Sequence, residues 1–376
     1  MTARDAGPLS GLRVLEVATH YAAPQISAML GDLGADVVKI ETSSGDPMRR
    51  SGVIHDGVAR GWQWIGRNKR SVVLDLETES DAAAFRQLVG VADLLVENLD
   101  DKTRARWHCT YEELAAHNER LVVVRVSGYG TSGPYAGRPG AGTLAEAFAG
   151  LAHMTGDPDG PPMLSSVPLG DTVTAFWGVI GALAACWGRD AGSGAGRLVD
   201  VAMYEPVLQV LAGTIAAYDP GADPPSRTGS RVPGGAPRNV YRTRDGEWIA
   251  VSGTTDQQVE RLLPLIAHDT AEDRAQFGTS ARRLETGDAL DALVATWVAS
   301  RDRAEAVQAL LDARIPVAPV NDIPALLADP HAIARGDIER IRTARAPELG
   351  AHRDEVLHDW LAASPPSTLS GSSPGP

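Results

Sequence analysis

The residues best equipped for chemistry lie between Val124 and Asp171 of this 376-residue chain. A β-branched apolar run, Leu121–Val126, stops at Gly128-Tyr129-Gly130, the pattern of a buried strand that delivers its carboxyl end to a loop. Ligands of open α/β sheets collect at such ends. Beyond the loop stands Gly140-Ala141-Gly142-Thr143, and Glu146 follows Thr143 at the spacing of a capping box, with Ala147, Phe148 and Leu151 as the buried stripe of the helix it opens. Asp171 follows Gly170 at the start of another helix, where a carboxylate serves as N-cap. Upstream, Arg67-Asn68-Lys69-Arg70-Ser71 leads into a strand read as Val72–Leu76; three cations at a strand start either hold phosphates or form a solvated basic face. His20 lies in a small-residue turn, Ala18–Pro24, as a structural or a catalytic histidine. Cys109 and Cys186 lack metal-ligand spacing, so two buried thiols and no metal are expected.

The elements that must position these groups follow from periodicity. Leu12–Val17 reads as a strand, Ile26–Leu33 as a helix ended by Gly34, and Asp36–Ile40 as a second strand. This β-α-β unit implies a parallel sheet with a nucleotide-like ligand near the Thr19–Ala23 turn, although the Gly-x-Gly-x-x-Gly fingerprint is absent. Strands at 93–98 and 121–126 alternate with helices at 81–90 and 111–120, as in a doubly wound fold. Residues 42–66 read as a surface excursion, and 219–237, rich in Pro, Gly and Arg, as a linker with a flexible Gly234-Gly235 pair. Asp245-Gly246 between apolar runs signals a hairpin, and helical patterns continue from Asp256 to Leu311, which suggests a smaller α+β domain. Ile315–Val320 is extended, and the tail from Pro365 reads as disordered.

Composition narrows the partners. Asp plus Glu outnumber Lys plus Arg by 48 to 35, a net charge of -13, which argues against nucleic acid. Val173–Trp187 comes nearest to an apolar span, but Thr174 and its Gly and Ala residues mark a buried helix, so no membrane is expected. The first eight residues lack an apolar signal region, which favours the cytoplasm.

Together these blocks resemble one family. They are Pro8–Leu15, Gly31–Glu41, Arg67–Ser71, Ala92–Asn98, Gly128-Tyr129-Gly130, Gly133-Pro134-Tyr135, Thr155–Gly160, Val199–Glu205 and Pro316–Val320. The pattern is similar to the class III CoA-transferases, which include formyl-CoA transferase, carnitine CoA-transferase and α-methylacyl-CoA racemase. The resemblance implies a Rossmann-like large domain over residues 1–218 and 313–364, a small α+β domain over 219–312, and an interlocked homodimer acting on an acyl-CoA and a carboxylic acid, with coenzyme A as the group carried. In such enzymes an aspartate attacks the thioester, CoA returns to form an enzyme thioester, and the acceptor carboxylate takes over the CoA. The family pattern before the helix is Pro-Gly-Tyr/Phe-Asp; here the register is Pro139-Gly140-Ala141-Gly142, which leaves Gly142 at the expected aspartate.

Glu146, one turn beyond Gly142, is the substitute nucleophile on this alignment, against its capping role, and Asp171 matches an acid/base position of the racemase branch, against its N-cap role. The resemblance assigns CoA binding to Thr19, His20, Tyr21, Ala22, Lys69, Asn98 and Arg106, with Gly140, Ala141, Gly142 and Thr143 at the thioester end. Lys69 and Arg106 would hold phosphates. Three activities follow: CoA transfer between carboxylic acids, racemisation or epimerisation α to a thioester with Asp171 as base, and silent CoA binding.

Overall fold

Six apolar runs pair into one sheet: β1 (Arg13–Val17), β2 (Asp36–Glu41), β3 (Lys69–Val73), β4 (Leu94–Glu97), β5 (Val122–Ser127) and β6 (Leu198–Ala202). All pairings are parallel and the order is β3-β2-β1-β4-β5-β6, the doubly wound arrangement whose winding reverses between β1 and β4. Successive residues alternate between faces. Val14, Leu94, Val122 and Val124 therefore enter one core, while Leu15, Leu95 and Val123 enter the other. Burial on both faces is why these strands read as continuous apolar runs. The computed structural model describes residues 7–232 and 235–362; Gly234 and the tail 365–376 lie outside that range.

Three helices position the site: α1 (Ala22–Asp32), α2 (Gly142–Phe148) and α3 (Leu169–Gly188). α3 turns Thr174, Ala175, Gly178, Ala182 and Ala185 inward, and a Cβ on Gly178 would come within 2.9 Å of Ile26 Cγ1 of α1. Small residues there let the two helices touch. The expected burial holds for this inner face; on the other side Phe176, Trp177, Ile180 and Trp187 are exposed, Trp187 by 74%. By length and composition Leu169–Ser193 is the one stretch among the described residues that could cross a membrane, at a mean hydropathy of 1.4, but its inner stripe is packed in the core of the sheet.

Two further expectations are corrected. Residues 42–66 form a 3-10 turn at Pro47–Arg50, a two-residue ladder and a helix over Arg60–Ile65 that buries Trp62 and Ile65. The third strand opens at Lys69 rather than Val72, because Lys69–Val73 pairs with Val37–Glu41.

The chain divides into two compact units, one of residues up to 151, 164–218 and from 340 onward, the other of 152–163 and 219–339. The second unit holds an antiparallel sheet of β7 (Arg238–Arg242), β8 (Trp248–Ser252) and β9 (Val317–Pro319) in the order β9-β8-β7. Its hairpin turns at Gly246, whose φ of 84° is the left-handed conformation the turn needs. Leu262, Leu290, Val294 and Trp297 pack its core. The return to the large unit falls after 339 rather than at 313, since β9 is held by β8.

Candidate active site

β1 hands the chain to α1 through Ala18-Thr19-His20-Tyr21 at the carboxyl end of the sheet. Asn98, just beyond β4, clasps this turn: its Nδ2 donates to Thr19 O at 2.9 Å and its Oδ1 accepts from Thr19 N at 3.0 Å. The clasp spans the point where the strand order reverses, the usual ligand crevice of such sheets. His20 adopts φ 69°, uncommon for a residue with a Cβ, and its N–H donates to Asp46 Oδ1 at 3.3 Å.

A buried ionic network supports the turn from below. Lys39 donates to Ala18 O at 2.6 Å and pairs with Glu16 at 2.5 Å and Asp46 at 2.9 Å. Lys69 donates to Pro24 O at 2.7 Å and pairs with Glu16 at 2.6 Å. Burial drives the Lys69 ammonium down to about 8, against the attraction of Glu16. Burial also opposes the charge on Lys39, but Glu16, Asp46 and Glu41 outweigh it, so that lysine holds its proton more tightly than usual. Lys69 is thus sealed in the protein interior, and its expected phosphate role is corrected. The neighbouring arginines are also matched: Arg67 stacks on Trp64 at 3.6 Å and forks onto Asp32, while Arg70 reaches Asp36, Glu355 and Asp359. The cations of the run are thus ion-paired within the fold rather than set on a free basic face. Arg106 remains at the surface, 3.1 Å from Glu77, each more than half exposed.

The second half of the site is a meeting of helix starts. α2 opens at Gly142 behind Ala141, which makes no side-chain cap, and Thr143 lies inside the helix. The expected capping box between Thr143 and Glu146 is therefore absent. Glu146 is 1% exposed and faces another way: Oε1 accepts from Gly170 N at 3.0 Å, and Oε2 accepts from Ser165 N at 3.1 Å and Ser165 Oγ at 2.7 Å. Nor does Asp171 cap α3; Pro168 holds that position and Asp171 is the third helical residue. Its carboxylate lies over Gly142, where a Cβ would stand 2.6 Å from Asp171 Cγ and 2.6 Å from Asp171 N. A Cβ on Gly170 would in turn meet Gly142 C at 2.9 Å, so both positions need glycine for the backbones to meet.

Asp171 is half-buried, and among the described residues no ion pair neutralises it. Burial raises its proton affinity above that of an ordinary aspartate; its own backbone N–H lowers it, the charge of Glu146 adds to the rise and His20 opposes it. Tyr21 faces the same carboxylate: burial raises its phenol, Thr172 lowers it, and the Asp171 charge adds to the rise. The β1–α1 turn, α2 and α3 therefore converge on one carboxylate. Such a group can attack an acyl carbon and leave again. The thiols do not compete: burial pushes Cys109 up to about 12 and Cys186 up to about 11. Among the described residues no three His, Cys, Asp or Glu side chains gather as a metal site requires.

Of the expected site residues, Thr19 and Asn98 are brought together, Gly142 and Asp171 touch, and His20 and Tyr21 lie near enough to act on or feel the Asp171 charge; Lys69 is sealed off and Arg106 stays beside Glu77. Reading the sequence missed Ser165, Asp46 and Lys39. A lysine inside the apolar strand Asp36–Glu41 was the available signal, because a charge there must have a partner.

The description of CoA-transferase family III matches residues 9–360. The alpha subunit of a succinyl-CoA–L-malate CoA-transferase from Chloroflexus aurantiacus is 36% identical over 89% of this chain and 79% of its own length. A succinyl-CoA:mesaconate CoA-transferase from Haloarcula hispanica is 32% identical over 94% of this chain and 96% of its own. Among solved structures, a CaiB/BaiF family protein from Brucella suis superposes with a TM-score of 0.81 at 29% identity, covering 94% of this chain and all of that one.

Proposed function

The chain belongs to CoA-transferase family III, and from that premise we propose that it moves CoA from an acyl-CoA to a free carboxylic acid through an acyl intermediate on Asp171. The observation that carries this reading is the Asp171 carboxylate lying over Gly142 at the meeting of two helix starts and the β1–α1 turn. The alignment assigned the vacant position to Glu146, but Glu146 is buried with both oxygens engaged. Asp171 fills the space that a side chain on Gly142 would take. That geometry supports an active site over a silent one.

In this reading the Asp171 carboxylate adds to the thioester carbonyl, the C–S bond breaks, and CoA leaves as thiolate with an aspartyl-acyl anhydride behind it. The thiolate then attacks the aspartyl carbonyl and releases the donor acid as carboxylate. The acceptor carboxylate attacks the aspartyl thioester, thiolate leaves again, and its attack on the acceptor acyl carbon regenerates Asp171 and forms the new acyl-CoA. Each exchange is between groups of similar energy, so the enzyme's task is placement and exclusion of water. The relatives act on succinyl-CoA with malate or mesaconate, which supports dicarboxylic acids as the substrate class here. CoA would lie along Thr19–Ala22, Asn98 and Gly140–Thr143, with Arg106 toward a phosphate.

The exposed stripe of Phe176, Trp177, Ile180 and Trp187 supports a second copy of this chain as its cover. The test of the activity is intact-mass analysis after incubation with succinyl-CoA, with hydroxylamine trapping and peptide mapping. A hydroxamate on Asp171 that Asp171→Asn abolishes is expected. No adduct, with solvent deuterium entering the α carbon instead, would replace transfer by α-proton chemistry.

A further inference from the structure

We propose that Glu146 is a positioning residue for the nucleophile, a buried staple that fixes the entry into α3 so that the Asp171 carboxylate stays over Gly142. The inference rests on the assignment of Asp171 as nucleophile and adds the means by which it is aimed.

The segment from Ser165 to Gly170 enters α3, and Glu146 holds it at both ends. One oxygen takes the N–H of Gly170, the residue before Asp171; the other takes the N–H and hydroxyl of Ser165. All three partners are donors, so the carboxylate is matched as an acceptor throughout. Gly170 also touches Gly142, and Gly142 lies under Asp171. A shift of the Gly170 peptide therefore passes directly to the reacting carboxylate, and small misplacements of reacting groups cost large factors in rate.

The donors around it explain the residue type, since an amide in this place could accept from Gly170 but would turn its own N–H toward the Ser165 N–H. The carboxylate also sets a second negative group near Asp171, and like charges at close range raise proton affinity. The titratable groups that act on Asp171 are Glu146 from α2 and His20 and Tyr21 from the β1–α1 turn. Glu146 thus fixes the place of the nucleophile and adds its charge to the burial that raises the proton affinity there.

The experiment compares Glu146→Gln, Glu146→Ala and Ser165→Ala in the full-length protein, with succinyl-CoA and a panel of dicarboxylic acids. Glu146→Gln keeps an acceptor for Gly170, removes the charge and turns its NH2 toward Ser165: kcat falls several-fold, KM for succinyl-CoA is unchanged, and the acid limb of the kcat profile moves to lower pH. Glu146→Ala loses staple and charge, and kcat falls about 100-fold. Ser165→Ala keeps the charge and one anchor, lowers kcat and leaves the acid limb in place. If Glu146→Ala does not fold, the Gln and Ser165 variants carry the same contrast. Wild-type kcat and acid limb in Glu146→Gln, with the adduct still on Asp171, overturn the proposal and leave the nucleophile standing. An adduct on Glu146 overturns both.

Discussion

The Asp171 carboxylate stands over Gly142, 29 residues away on another helix, with Cγ 2.6 Å from where a Gly142 Cβ would be. Gly142→Ala therefore forces either the carboxylate or the α2–α3 contact to move. The expected result is a fall in kcat of about 10- to 100-fold with an unchanged far-ultraviolet spectrum. A fully active Gly142→Ala enzyme would remove this contact from the mechanism.

The raised proton affinity of Asp171 has a definite sign in the kinetics. The nucleophile must be ionised, so transfer is complete at neutral pH and lost as pH falls through a value above the ordinary carboxylate range of about 4. A kcat profile with its acid limb at or below that ordinary range would contradict the assignment.

Glu16 balances two buried ammonium groups, Lys39 and Lys69. Glu16→Ala leaves them without that partner and should cost about 3–5 kcal/mol of unfolding free energy in denaturant melts. Glu16→Gln paired with Lys69→Met removes one charge of each sign and should cost less than Glu16→Ala. Equal losses in the two variants would show that charge balance is not what holds the network.

Arg106 pairs with Glu77 at the surface, where an incoming phosphate would compete for it. Glu77→Gln should lower KM for CoA esters severalfold and Arg106→Ala should raise it, with both effects shrinking at high salt because the groups are exposed. An Arg106→Ala enzyme with wild-type KM would take this cation out of CoA binding.

Ile180 stands in the exposed stripe of α3. Ile180→Lys should convert a dimer to monomer by sedimentation if a second copy covers that stripe. A wild-type protein that sediments as a monomer would dismiss the dimer at once.

The scaffold was legible because its signals are local. Apolar runs at 12–17, 36–40, 93–98 and 121–126 could only be strands of a sheet covered on both faces, and Asp245-Gly246 announced its hairpin. The site was legible only in part. Thr143 and Glu146 have the spacing of a capping box, yet Glu146 is drawn off by donors at 165 and 170, which no local pattern connects to it. Lys69 looked available beside a strand start because its partner, Glu16, lies 53 positions earlier on β1. Tertiary contacts decided both cases.

The Asn98 clasp on the β1–α1 turn divides tolerance unevenly between its two members. Every atom contributed by residue 19 is main chain, so the side chain at that position is free to drift among types that allow the same backbone. Position 98 must offer one donor and one acceptor at the ends of a short planar group, which aspartate lacks for want of N–H and leucine lacks altogether. Across descendants of this chain, then, variation should accumulate at 19 while 98 stays asparagine.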